Sequence, residues 1–153
     1  MIGKAMAAAV LVLAAMTVSG CMEQNVHAIE TGKEFQVEQN LNSIRQGIIS
    51  WQTQPGNGDK KLPDNFADYP AVNRDIQMAP NGHYNGYIYR IFLSEDGNHY
   101  LLFAYPVQRG MNGESSYFLN ENGAPKSHDF GDKNDNSKWN YDSVLAFFSS
   151  MGG

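Results

Sequence analysis

The residue whose type and position most clearly invite covalent chemistry is Cys21, the only cysteine in a chain of 153 residues. A thiolate is a strong nucleophile. A single thiol closes no intrachain disulfide and excludes Cys-rich metal sites. Cys21 follows the small residues Ser19 and Gly20 at the end of an uncharged segment. That placement favours modification of the sulfur over a catalytic thiol. Other candidates carry less. His27, His83, His99 and His128 form no close ligand pair, so they are expected at surfaces or turns rather than on a metal. Asp129, Asp132, Asn134, Asp135 and Asn136 supply the oxygen donors that Ca²⁺ prefers. However, Ser137 occupies the place of the EF-hand glycine and Ser143 that of its glutamate, so a solvated loop is expected. There is no nucleophile elbow, phosphate loop or dinucleotide fingerprint. Asp129-Phe130-Gly131 matches a kinase tripeptide by letters alone, and Ser115 and Ser116 have no recognisable base partner. The expectation is a protein without catalytic residues, metal or cofactor.

The segment before Cys21 has the parts of an export signal. Lys4 supplies a positive charge, and Ala5 to Met16 (AMAAAVLVLAAM) is apolar throughout. That run is short of the roughly 20 residues a membrane-spanning helix needs. Val18-Ser19-Gly20-Cys21 resembles the lipobox of bacterial lipoprotein precursors, with Val18 in place of the usual leucine. The resemblance implies a diacylglyceryl thioether on Cys21, cleavage between Gly20 and Cys21, and in many bacteria acylation of the new amino terminus. The lipid bilayer would then be a partner held through the acylated Cys21. Each buried methylene contributes about 0.8 kcal/mol, and two or three chains make attachment durable where one does not. In diderm bacteria an aspartate after the lipidated cysteine resembles an inner-membrane retention signal. Met22 stands there instead, which implies the outer membrane, facing the periplasm.

Positioning of the remaining residues falls to a single domain. Lys+Arg 11 against Asp+Glu 16 gives a net charge of -5, and removal of Lys4 with the signal takes it to about -6. Without a basic cluster, nucleic-acid binding is not expected. Val37, Leu41, Ile44, Ile48 and Trp51 recur at helical spacing and predict an amphipathic helix from about Lys33, stopped by Pro55-Gly56-Asn57-Gly58. The stripe is too short for a sustained coiled coil, so the helix is expected to pack on a sheet. Leu62, Phe66 and Tyr69 should cap the core, with Asp64 capping a short helical turn. Alternation predicts strands over Tyr84–Leu93, Tyr100–Tyr105 and Ser115–Leu119, with a short edge strand at Ala124–His128. Glu95-Asp96-Gly97-Asn98 makes the first hairpin turn. Residues 131–140 read as polar and exposed, and Asp142 as the cap of a final helix carrying Val144, Leu145, Phe147 and Phe148. The fold class is therefore α+β: a long N-terminal helix packed on an antiparallel sheet of three to four strands, then a short C-terminal helix. The domains are 1–20 signal peptide, 21–33 lipidated cysteine and tether, and 34–151 globular domain.

The helix ending near Trp51, the bridge Lys61-Leu62-Pro63-Asp64-Asn65-Phe66 and the strand Gly86-Tyr87-Ile88-Tyr89-Arg90-Ile91 resemble the globular part of major pseudopilins and type IV pilins. The strand Tyr100 to Pro106 and the segment Ser116 to Gly123 continue the likeness. It is also similar to a secreted bacterial family of unknown function, in which a Gly-Tyr-x-Tyr-Arg-Ile strand precedes an Ala-Tyr-Pro strand. Pilins carry a Gly-Phe type processing site and then a long apolar helix; here the helix after Cys21 is mostly polar, so a lipid would replace the pilin membrane helix. The expected function is a non-catalytic, envelope-anchored lipoprotein serving assembly or recognition, with an envelope protein as partner. Two other readings stay open: an envelope hydrolase with a dispersed site, and a small-ligand or polysaccharide binder. The second would use exposed members of Tyr84, Tyr87, Tyr89, Tyr100, Tyr105 and Tyr117.

Overall fold

Helix α1 spans residues 32–52 of a computed structural model that describes residues 32–131 and 139–151. Its stripe is buried as its spacing predicts: Val37, Leu41, Ile44 and Ile48 are buried and Trp51 is half-buried. Gly47, in mid-helix, has a packing reason. A Cβ there would stand 2.5 Å from Val72 Cγ2 and 3.1 Å from the Val72 amide nitrogen. The turns of 53–59 end the helix, with Gly56 at φ +85°.

Two short helical pieces follow, a 3₁₀ turn at Phe66–Asp68 and helix α2 at Arg74–Gln77. Leu62, Phe66 and Tyr69 are buried against α1, as expected. The first cap is Asn65, whose side chain accepts from the Ala67 amide at 3.0 Å, and not Asp64. After a further turn at Pro80–Gly82 the chain forms five strands: β1 His83–Tyr84, β2 Tyr87–Leu93, β3 Tyr100–Pro106, β4 Ser116–Asn120 and β5 Lys126–His128. All neighbours pair antiparallel in the order β1-β2-β3-β4-β5. Among the described residues the sheet thus has five strands rather than three to four. The strand expected over Tyr84–Leu93 is a hairpin, because Asn85 (φ 50°) and Gly86 (φ 82°) both take the left-handed conformation that a two-residue turn requires. The edge strand after Ala124 is present, reduced to three residues.

Helix α3, Tyr141–Ser150, packs on the other face of the sheet. Its cap is Asn140 in a reciprocal pair with Ser143, and Asp142 lies in the first turn. Apolar residues therefore collect in two layers. Tyr87, Tyr89, Tyr100, Leu102, Tyr117 and Leu119 face α1. Leu101, Phe103 and Phe118 face α3. The central strand β3 is buried on both sides, which explains the unbroken apolar run Tyr100 to Tyr105. The second layer is aromatic. Trp139, placed by sequence in an exposed loop, stacks 5.0 Å from Phe103, and Phe130 lies 4.9 Å from Phe147. One large apolar residue in a polar stretch leaves no periodic signal, which is why its packing was not legible.

Candidate functional site

The free edge of β2 lines a concavity of the domain. Ser94 donates its amide to His99 O at 2.9 Å, and Val107 donates to Gly86 O at 2.9 Å. In an antiparallel ladder the bonded residues alternate, so Ile88, Arg90 and Phe92 bond to β3. Tyr87, Tyr89, Ile91 and Leu93 consequently aim their N–H and C=O groups away from the sheet. Tyr87 is covered by Tyr84 of β1. Tyr89 is approached by Gly82, whose φ is +74° and where a Cβ would fall 2.2 Å from the Tyr89 carbonyl oxygen. Past that point no strand among the described residues covers Ile91 or Leu93.

A groove of about 620 Å³ runs along this edge, walled by residues 64–67 on one side and 76–82 on the other. Both walls are fixed by local polar contacts. Asn65 caps the 3₁₀ turn, and Asn73 accepts from the Asp75 amide at 2.8 Å to start α2. Gln77 Nε2 donates to Tyr69 O at 2.9 Å and Val72 O at 2.6 Å, tying the second wall to the core. Phe66, Ile76 and Ile91 give the groove apolar patches, while Asp64, Asn65, Gln77, Asn81 and Arg90 give it polar ones. The arrangement offers main-chain donors and acceptors at strand spacing with side-chain pockets beside them. Such an edge suits the addition of an extended polypeptide segment.

Cys21, Gly20, His27 and the Asp132, Asn134, Asp135 and Asn136 positions lie outside the described residues. The other histidines are not brought together. His83 is in β1, His99 Nδ1 is 3.2 Å from Glu121 Oε1 beside a hairpin turn, and His128 on β5 packs 4.7 Å from Phe130. Among the described residues no three His, Cys, Asp or Glu side chains are grouped to hold a metal ion. Asp129 is engaged by Arg109 through two bonds, Nε to Oδ1 at 2.8 Å and Nη2 to Oδ2 at 2.5 Å. That guanidinium, helped by the Gly131 amide, draws the carboxyl down to about 2.

Of the tyrosines weighed as an aromatic face, Tyr87, Tyr89, Tyr100 and Tyr117 are buried against α1, and Tyr84 and Tyr105 are half-buried. Tyr89 accepts from Asn40 Nδ2 at 2.9 Å, and Tyr87 donates to Ser115 O at 3.3 Å. The groove itself was not read from sequence. Its three contributing segments share no motif, and only the Pro80-Asn81-Gly82 run could have shown that β1 begins just two residues before its turn. No family model, curated protein or solved structure matches the chain.

Proposed function

We propose that this protein is a lipoprotein of the bacterial cell envelope, anchored by acyl chains on Cys21, whose α+β domain serves recognition or assembly rather than catalysis. The observation that carries the reading is the order Lys4, apolar Ala5 to Met16, then Val18-Ser19-Gly20-Cys21. The compact unit Glu34–Gly153 begins thirteen residues after that cysteine, a spacing that suits a tethered domain. Support for a pilin-like relationship comes from the long helix laid on one face of an antiparallel meander, and the α3-covered opposite face is part of the same proposal. Recognition draws support from the uncovered stretch of β2 and its groove, which suit a strand contributed by an envelope protein.

The test expresses the wild-type chain and Cys21→Ser in a bacterial host. Wild type is expected in the membrane fraction with an intact mass carrying fatty acyl groups, and the variant is expected unacylated and released. A variant that stays processed and membrane-bound defeats the anchor. On the same membranes, a photo-crosslinker at Ala67 in the groove wall should capture a protein that one at Gln54, outside the groove, does not. Equal capture at both positions removes the recognition site from β2.

A further inference from the structure

Several features place the start of α1 and the β3–β4 loop at one end of the domain. Glu34 lies close enough to Tyr117 and Tyr87 for its carboxylate to push both phenols up. Tyr87 donates to Ser115 O at 3.3 Å, and its ring lies so close to Gly113 that a Cβ there would fall 1.9 Å from the hydroxyl. Because β2, β3 and β4 are antiparallel, Tyr87, Pro106 and Ser116 are their ends on this side. The opposite end holds the 94–99 turn and Gly123, whose carbonyl accepts from Arg45 two thirds of the way along α1.

The first end is where exposed apolar side chains gather. Phe35 in the opening turns of α1 is 63% exposed, Met111 64% and Val107 46%. The loop that carries the last two is a built structure. Gly110 donates to Gly113 O at 3.0 Å, Asn112 donates its amide to Gln108 O at 2.9 Å, and Asn112 Oδ1 accepts from the Gln108 amide at 3.1 Å. Holding two large apolar residues in solvent on a well-bonded loop stabilises nothing in the domain itself. Charge at this end has no cationic excess: Arg109 pairs with Asp129, and Glu34 and Glu114 outnumber Lys33 near the exposed residues in the chain.

We propose that this end, through Phe35, Val107 and Met111, rests on the surface of the bilayer that receives the Cys21 acyl chains. The inference depends on the lipid anchor proposed above. The occupant is argued from chain length and charge. Twelve residues separate Cys21 from Glu34, so the linking chain reaches at most about 45 Å. A bilayer is thus always within range of the α1 start. With no basic excess, attachment relies on apolar insertion and works on a zwitterionic surface, without anionic lipid.

The experiment uses the full chain produced as a lipoprotein, with single added cysteines at Val107, Met111 or, as a control at the far end, Glu95. Cys21, as a thioether, does not react with a maleimide fluorophore. Labelled protein is reconstituted in phosphatidylcholine vesicles containing a headgroup-region nitroxide lipid. Quenching at 107 and 111 is expected to exceed that at 95 by about threefold or more. Equal quenching at all three positions overturns the proposal. So does shielding of 107 and 111 from aqueous iodide without lipid quenching, which would assign the patch to a second copy or another protein. Intact mass on the same samples separates the two readings: unacylated protein defeats the anchor, whereas acylated protein without selective quenching defeats only the membrane contact.

Discussion

Tyr100 is buried beneath α1, and its hydroxyl has no hydrogen-bond partner among the described residues, whereas the hydroxyl of equally buried Tyr69 donates to Pro63 O at 2.6 Å. An unpaired buried polar group carries a desolvation cost of about 1–3 kcal/mol, while a made hydrogen bond returns about 1 kcal/mol net. Tyr100→Phe is therefore expected to leave stability unchanged or raise it by about 1 kcal/mol, and Tyr69→Phe to lower it by about the same amount. Urea unfolding of the two variants checks this, and a Tyr100→Phe loss as large as that of Tyr69→Phe would show that the hydroxyl is satisfied. At this scale the sequence was partly legible. Aromatic residues at alternating positions point to the core, and four of the six tyrosines weighed as a binding face are there. Whether a phenol finds a partner depends on backbone groups far away in the chain, and no pattern of residue types reports it.

Among the elements, α1 was the most legible, because five apolar residues at spacings of four and three leave one solution. What the helix touches was not. Gly47 reads in isolation as a weak point worth about 1 kcal/mol against alanine. In the fold it is the notch that admits the backbone and side chain of Val72. Gly47→Ala should therefore destabilise by about 1–3 kcal/mol despite its gain in helix propensity, since the contact is with a short branched side chain and main chain that have little room to yield. Thermal unfolding decides it; a higher melting temperature would mean that the 69–73 segment moves freely. The strands were legible through their alternation and the turns through Asp96-Gly97, but alternation running on from Tyr84 hid the Asn85-Gly86 turn. Caps slipped by one or two positions, Asn65 for Asp64 and Asn140 for Asp142, because Asn and Asp offer the same acceptor and only backbone geometry selects between neighbours. The β2 groove lies opposite the chain that precedes β1, and follows from the Pro80–Gly82 turn that delays the start of that strand.

For the whole molecule, the tyrosine-rich layer sets the alkaline limit. Burial, with Glu121 adding to it at Tyr100, raises Tyr89 and Tyr100 from 10 to about 12, and burial pushes Tyr69, Tyr87 and Tyr117 further up. The fold thus favours the neutral phenols. Their contribution to stability is whole below about pH 10 and is lost as pH rises through 12 and beyond. Phenolate absorbance should accordingly show these five groups ionising together with unfolding; independent titration near 10 would mean the layer is open to water. On the acid side, Asp96 and Asp129 are held at about 2, by Ser94 and the Asn98 amide in one case and Arg109 in the other. What they add is present above about pH 4 and fades as pH falls toward 2.

The order of the sheet has a temporal meaning as well. Among the described residues each strand bonds only to its neighbour along the chain, so every pairing after α1 closes a short loop and carries a small entropic cost. A polypeptide that becomes available end-first can zip hairpin upon hairpin without waiting for distant segments to arrive. The last ten-residue helix alone must come late, and until it docks, Phe103 and Phe118 stay open to water.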